Sequence, residues 1–456
     1  MLFAKLHWSP ALLRVVFIFL IWLIIYTSGL FRPALLDDAD SVHAEAAREM
    51  LTRGDWVTLH TNGIRYCEKA PLMYWCIAAS FKLFGVTEWS ARLPLILAVL
   101  ALLLVTFSLG RRALGEEAGF YAALVLGSSL GLYLFTRILI PDSLVALWLT
   151  LGFDFFLRGL QEERPSRLSC WGLALTAALS VLSKGLIGVV FPAAIIGPYL
   201  LLTGNLRHLL RMRLLSSSLV FLAVAAPWHV LAALRNPGQP PLKGFLSFYF
   251  VNEQFLRYVN KRVPQDYDTV PLLVFWALLL VWLLPWSSFL FHSLAQIPRR
   301  FSAFTAGLAA RDHALLFLGI WAFVIPAFFS FSTRQEYYTL PALPALALLI
   351  GIWLGRESEA QVTSPLRRRG RVVSTIVLAI GLAAFVCAIL LLYLSRPIPP
   401  GSDIADLLSK NPEKYALSLG HFFDLTPQAI GVFRAPLWLT GLALLMGTGL
   451  TNRSIK

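Results

Sequence analysis

The sequence predicts an all-α integral membrane protein with about twelve transmembrane helices, and three observations lead there. The first is composition: of 456 residues, 57% are hydrophobic and 14% charged, and the mean hydropathy is +0.69. A soluble domain carries roughly a quarter charged residues, so a chain this long and apolar needs lipid around much of its exterior. The second is length. Runs of roughly twenty apolar residues, enough to cross the hydrocarbon, begin near Ala11, Trp89, Glu117, Asp142, Trp171, Leu186, Leu214, Val270, Ala314, Tyr338, Val372 and Ala435. The third is where the charge sits. A net charge of +14 in a soluble protein would point to nucleic acid, but here the basic residues occupy short connections between apolar runs. They read as topology signals, with membrane lipid head groups and phosphates as partners and no nucleic acid.

The first run is long and no small-residue cleavage site follows it, so it reads as a retained first helix. With Lys5 and Arg14 on the cytoplasmic side, the other basic connections fall on that side too: Arg111 and Arg112; Arg158, Arg164 and Arg167; Arg207, Arg211 and Arg213; Arg299 and Arg300; Arg367 to Arg371; and Arg453 with Lys456. This agrees with the positive-inside rule. The opposite side holds the long connections, residues 31–88, 235–269 and 395–434, too long to be mere connectors. Chemistry is expected there, on the exoplasmic face of a multi-pass cytoplasmic (inner) membrane protein. Residues 1–394 form the expected core, including loops 31–88 and 235–269; residues 395–456 form a short exoplasmic segment and a last helix.

The first long loop carries most of the polar chemistry. Val42, Ala46, Met50 and Leu51 share a face at helical spacing, which predicts an interfacial helix over 41–53 ended by Gly54. The solvated face of that helix takes Glu45, Arg48, Glu49 and Arg53. A second short helix is expected over 71–84, opened by Pro71 and closed by Gly85, with Tyr74 and Trp75 in the aromatic belt. Around these helices lie Asp37, Asp38 and Asp40, then Arg65, Tyr66, Glu68 and Lys69. A carboxylate can take the proton of an attacking hydroxyl, and a lysine or arginine can hold a phosphate that leaves with negative charge. Together they suit transfer of a group from a lipid-linked phosphate to an alcohol. Asp40 or Ser41 also fits as a helix cap, and Glu68 beside Lys69 fits as a simple loop ion pair.

The same loop resembles a known superfamily. Its AREM helix end, then GDW, then NG-x-x-Y-x-EK-x-PL-x-YW falls on Ala47–Met50, Gly54–Trp56, Asn62–Gly63, Tyr66, Glu68–Lys69, Pro71–Leu72 and Tyr74–Trp75. This is similar to the protein O-mannosyltransferases and lipid A aminoarabinose transferases, glycosyltransferases of the C-type fold that use polyprenyl-phosphate sugars. Arg137 with Asp142, Ser183-Lys184-Gly185, Asn252-Glu253-Gln254 and the Tyr338 to Pro341 turn resemble further family elements. Three departures stand out. The alignment places Ala39 at the usual aspartate, so either Asp38 or Asp40 serves; His43 stands at the family's tyrosine; and Gln254 stands at a histidine. The last part of the sequence is also short, with residues 395–434 where the larger relatives carry a sizeable exoplasmic domain after their helices.

The resemblance implies glycosyl transfer with inversion, from a polyprenyl-phosphate sugar to a lipid, glycan or protein acceptor. Asp40, Asp38 and Asp142 are the candidate catalytic carboxylates. Lys69, Arg65, Arg137, Arg334 and Tyr338 are the candidates for the donor phosphate, and Tyr66, Glu68, Lys184, Glu253 and Arg257 for other substrate contacts. Structural roles compete for several of them: a snorkelling Arg137, an N-cap Asp142, an interface Lys184, a belt Tyr338, and a solvated basic cluster at Arg257, Lys261 and Arg262. His229 has no second histidine at metal spacing, so no metal cluster and no obligatory cofactor is expected. Cys76 reads as helical and apolar, which argues against a disulfide with Cys67. A flippase for a lipid-linked glycan is the alternative function; it should show inverted repeats and charges near helix centres, and neither stands out.

Overall fold

The computed structural model describes residues 9–31, 35, 38–238, 244–265, 269–298, 310–361, 364–398, 404–409, 424–434 and 437–438. Helices dominate them: α1 (Pro10–Thr27), α2 (Asp38–Arg53), α3 (Leu72–Phe84), α4 (Glu88–Leu114), α5 (Glu116–Gly127), α6 (Leu130–Phe135), α7 (Asp142–Gln161), α8 (Arg167–Lys184), α9 (Ile187–Leu202), α10 (His208–Arg211) and α11 (Leu214–Arg235). A π-helix, Leu246–Leu256, precedes α12 (Leu272–Trp282), α13 (Ser287–Leu294) and α14 (Ala310–Ser330). A 3-10 turn, Glu336–Ala342, leads into α15 (Leu343–Glu359), followed by α16 (Pro365–Leu394), α17 (Ile404–Leu407) and α18 (Pro427–Val432). Among the described residues the sheet is a single hairpin, β1 (His60–Thr61) against β2 (Ile64–Arg65). Its turn is Asn62–Gly63, both at positive φ, the backbone that an Asn-Gly pair supplies.

The chain is a multi-pass membrane protein. Among the described residues, α1, α4, α7, α11, α14, α16 and the continuous segment Glu336–Glu359 are each long and apolar enough to cross a bilayer. The pair α12 and α13, bent by 101°, could form an eighth span. Helix occupies each apolar run expected from the sequence as far as the described residues go, but not always as one full span. The run from Glu117 breaks where the Ser128 hydroxyl bonds back to the Leu124 carbonyl. The run from Val270 breaks around Pro285, which has no N–H to continue a helix. The run near Ala435 and most of the 395–456 segment lie outside the described residues.

Helix α15 is buried along its whole apolar window, whereas α1, α11 and α16 expose most of theirs. Gly351 makes the central packing close: a Cβ there would stand 2.4 Å from the Ala118 carbonyl oxygen of α5. Without a water-driven attraction between helices in lipid, such small-residue contacts supply much of the packing.

Polar groups divide between the two ends of this bundle. At one end Arg14 of α1 pairs with Glu116 and Glu117, Arg112 pairs with Asp154, Arg158 pairs with Asp154 at 2.7 Å, and Arg367 pairs with Glu357 at 3.1 Å. These are the basic connections that the sequence places together. At the other end Arg137 donates to the Ile25 and Tyr26 carbonyls that finish α1, at 3.1 and 3.2 Å. There Arg334 closes the end of α14 through the Ser330 and Ser332 carbonyls, at 3.1 and 3.2 Å. Lipid offers a helix end no partner, so each freed carbonyl needs a donor from the protein.

Both short helices expected in the first loop form, as α2 and α3. Two side chains depart from the expectation: Tyr74 is not in an aromatic belt but buried, 1% exposed and bonded to His43, and Glu49 differs as well. Glu49 does not lie on a solvated face; it is 6% exposed. Its carboxylate accepts from the Gly63 N–H at 2.8 Å and from Arg53 Nε at 2.7 Å, which fastens the hairpin to α2. All four cysteines are free.

Candidate active site

At the end of the bundle opposite the basic connections lies a cavity of about 580 Å³. Helix α2, the segment from the hairpin into α3, the start of α7, the end of α8, the π-helix and the approach to α15 all contribute to it. These are ends and irregular turns, where side chains can converge without a spanning helix carrying buried charge at its centre.

Four cations and three carboxylates line the cavity: Lys69, Lys184, Arg257 and Arg262 against Glu68, Asp142 and Glu253. Lys184 Nζ reaches both oxygens of Asp142, at 2.7 and 2.5 Å, and lies 4.9 and 4.7 Å from the ring centres of Tyr337 and Tyr338. Arg262 bonds Glu253 at 2.6 Å and Glu68 at 3.1 Å, and donates to the Pro264 carbonyl at 3.1 Å. Arg257 donates to the Tyr338 hydroxyl at 2.8 Å and stands 3.5 Å from Glu253. Lys69 is held least tightly, 3.5 Å from a Glu68 carboxylate that Arg262 approaches more closely. Burial, followed by the Arg257 charge, pushes the Lys69 ammonium below its ordinary value. An incoming anion would reverse that cost.

Local sequence explains much of this placement. The π-helix, with its wide i to i+5 turn, sets Tyr249, Glu253 and Gln254 on the cavity wall. Gly185 ends α8 with φ +80°, and the Gln254 amide lies where a Cβ would be, within 2.6 Å. Gln254 also accepts from the Leu186 N–H at 3.1 Å, so it holds the turn that carries Lys184. His43 shares a hydrogen bond of 2.8 Å with the Tyr74 hydroxyl through Nδ1. Burial first, then Lys69 and Lys184, lower the His43 imidazole to about 3, so it is neutral at ordinary pH.

The structure brings Asp142, Lys69, Tyr338, Tyr66, Glu68, Lys184, Glu253 and Arg257 together around one cavity. It places the other candidates elsewhere. Arg65 lies on the exposed β2 strand. Arg137 and Arg334 serve helix-end carbonyls, and Arg334 Nε also bonds the Val270 carbonyl at 2.7 Å. Asp40 is buried and accepts from the Leu139 N–H at 2.6 Å, three residues before Asp142. The Asp38 side chain lies outside the described residues. Residues outside the candidate set also line the cavity: His43, Tyr74, Tyr249, Gln254 and Arg262. The basic run 257–262 signals Arg262, and the departures at His43 and Gln254 mark those two. Nothing local marks Tyr249. Among the described residues no group of three or more His, Cys, Asp or Glu is arranged to hold a metal ion.

Residues 68–230 match the family described as dolichyl-phosphate-mannose-protein mannosyltransferase. The chain is 29% identical over 405 residues to an undecaprenyl phosphate-alpha-4-amino-4-deoxy-L-arabinose arabinosyl transferase 2 of Pseudomonas fluorescens, covering 86% of this chain and 63% of the relative. It is 29% identical over 370 residues to the corresponding transferase of Pseudomonas aeruginosa, covering 78% of this chain and 61% of that one. The chain thus spans about three-fifths of the length of these curated relatives. The crystal structure of ArnT from Cupriavidus metallidurans in the apo state superimposes with a TM-score of 0.69 at 26% identity, over 97% of this chain and 76% of ArnT. By sequence and fold, the chain is similar to the C-type glycosyltransferases. The same ArnT bound to undecaprenyl phosphate gives a TM-score of 0.71 at 22% identity, over 96% of this chain and 78% of that one.

Proposed function

We propose that the chain transfers a sugar from a polyprenyl-phosphate donor to an acceptor hydroxyl or phosphate, at the exoplasmic face of the inner membrane. One observation carries the reading: the cavity holds one more cation than carboxylate, and Lys69 is loosely engaged. A phosphodiester brings the single negative charge that balances it. Ile187, Val190 and Phe328 flank the cavity with apolar surface suited to a polyprenyl chain. The names of the relatives point to the same donor class, and the basic connections at the far end support the exoplasmic side.

The acceptor oxygen attacks the anomeric carbon opposite the phosphate. The bond from that carbon to the phosphate oxygen breaks, and its electron pair leaves with the phosphate, so the sugar inverts. The phosphate gains a second negative charge, which Lys69 and the Arg257–Tyr338 pair receive. Where the acceptor is a hydroxyl, its proton passes to Asp142, and the cavity stays balanced from start to finish. Asp142 takes this role because its carboxylate lines the cavity; Asp40 acts as a positioning residue through Leu139. The reaction calls on no obligatory cofactor, so chelation with EDTA should leave the rate unchanged.

The test is a transfer assay in nanodiscs with labelled polyprenyl-phosphate sugars and crude envelope acceptors. Wild type should consume donor, Lys69→Ala should lose transfer, and Asp142→Asn should lose transfer to hydroxyl acceptors. Undiminished transfer in a folded Lys69→Ala variant would overturn the reading. Passage of labelled lipid-linked glycan across the bilayer without donor consumption would make the chain a flippase instead.

A further inference from the structure

The charge balance of the cavity also bears on what sugar the donor carries. With a phosphodiester seated, four cations face three carboxylates and one phosphate, leaving no net charge. Each of those carboxylates already has a close cation: Asp142 meets Lys184 at 2.5 Å, Glu253 meets Arg262 at 2.6 Å, and Glu68 meets Arg262 at 3.1 Å. An ammonium group on the sugar would have to break one of these pairs or remain unpaired among four cations. Either route is costly where water is scarce.

The patch of wall formed by His43, Tyr66, Tyr74 and Tyr249 is different in kind. His43 is neutral, and its Nδ1 is engaged by Tyr74. Tyr66 lines the cavity beside it, 6.4 Å from the His43 ring centre. Tyr249 completes the wall and is fully buried, and among the described residues its hydroxyl has no hydrogen-bond partner. Neutral donors and acceptors backed by aromatic surface suit the hydroxyls and the apolar face of an uncharged sugar. An orphaned hydroxyl at a cavity wall calls for a partner that a ligand can supply.

We propose that this wall is the sugar subsite and that it selects an uncharged sugar, with His43 holding one of the sugar hydroxyls. The proposal rests on the polyprenyl-phosphate reading above and narrows it. It sets the chain apart from the relatives named for 4-amino-4-deoxy-L-arabinose.

Equilibrium competition tests it without needing an acceptor. The full chain in nanodiscs is loaded with labelled undecaprenyl phosphate. The label is then displaced by undecaprenyl phosphate carrying glucose, 4-amino-4-deoxy-L-arabinose, or the N-acetylated form of that amino sugar. The glucose and N-acetyl lipids should compete at concentrations roughly tenfold or more below that of the free amine, because acetylation removes the charge while keeping the ring. His43→Ala should weaken the glucose lipid relative to sugar-free undecaprenyl phosphate, and His43→Gln should restore part of that preference. Equal or tighter competition by the amino-sugar lipid overturns the charge selection. An unchanged preference in a folded His43→Ala variant overturns the subsite. Failure of undecaprenyl phosphate itself to bind defeats the donor reading, and this inference falls with it.

Discussion

Each end of the helical bundle buries a carboxylate among cations, yet the two clusters do different work. At the basic end Asp154 is 2% exposed and is shared by Arg112 and Arg158, far from the 580 Å³ cavity, which it does not line. At the other end Asp142 is 1% exposed and paired with Lys184, but it faces about 580 Å³ of open space shared with three further cations. A buried ion pair by itself is weak grounds for either stability or function. What separates the two ends is room for a ligand and a cation whose partners under-occupy it. The first cluster ties helix ends together, whereas the second waits for charge.

The comparison can be broken by exchanging effects between the ends. The largest effect expected is on transfer: Lys69→Ala should lower kcat/KM roughly 100- to 1,000-fold, the scale for removing a donor that stabilises developing charge, while thermal melts show a folded protein. Asp154→Asn should do the reverse. It removes the negative charge that Arg112 and Arg158 share, but both are partly exposed, so the loss is about 1–3 kcal/mol of stability with transfer per folded molecule unchanged. A large loss of transfer in Asp154→Asn would dissolve the distinction.

Arg334→Ala sharpens it from the cavity end. Arg334 serves the Val270, Ser330 and Ser332 carbonyls, so its removal should cost about 1–3 kcal/mol of stability and leave the KM for the donor unchanged. A raised KM would return Arg334 to the phosphate. The smallest effect concerns pH. The folded His43 imidazole lies at about 3 against its ordinary 6.5, so the unfolded chain binds more protons between those values. Its contribution to stability is complete above pH 6.5 and is lost as the pH falls toward about 3. Melting temperatures followed down that window should fall less steeply in His43→Gln than in wild type.

How far the sequence discloses these differences varies by level. Helices were legible because lipid imposes a length and a polarity on each of them, and α2 and α3 because short amphipathic or Pro-opened runs cannot span. Breaks such as the one between α12 and α13 were less so, since hydropathy reads straight through Pro285. The site divides similarly. Lys69, Glu68 and Asp142 sit in a recognisable pattern and meet at the cavity. Arg137 and Arg334 have equally suggestive positions, but an arginine beside a helix end can face a ligand or turn back onto carbonyls, and only the three-dimensional course of the chain decides. Tyr249 was hidden because nothing distinguishes its hydroxyl from that of any aromatic near a membrane surface.

The π-helix from Leu246 to Leu256 carries a constraint of another sort. Each α-helical residue advances the face by about 100° and the wider π turn advances it by less, so relaxing this segment to ordinary helix at the same length would rotate Glu253 and Arg257 off the cavity. Spelling there is freer than spacing: the segment can exchange side chains on its outer face, but its length is fixed by the need to keep two charges in phase.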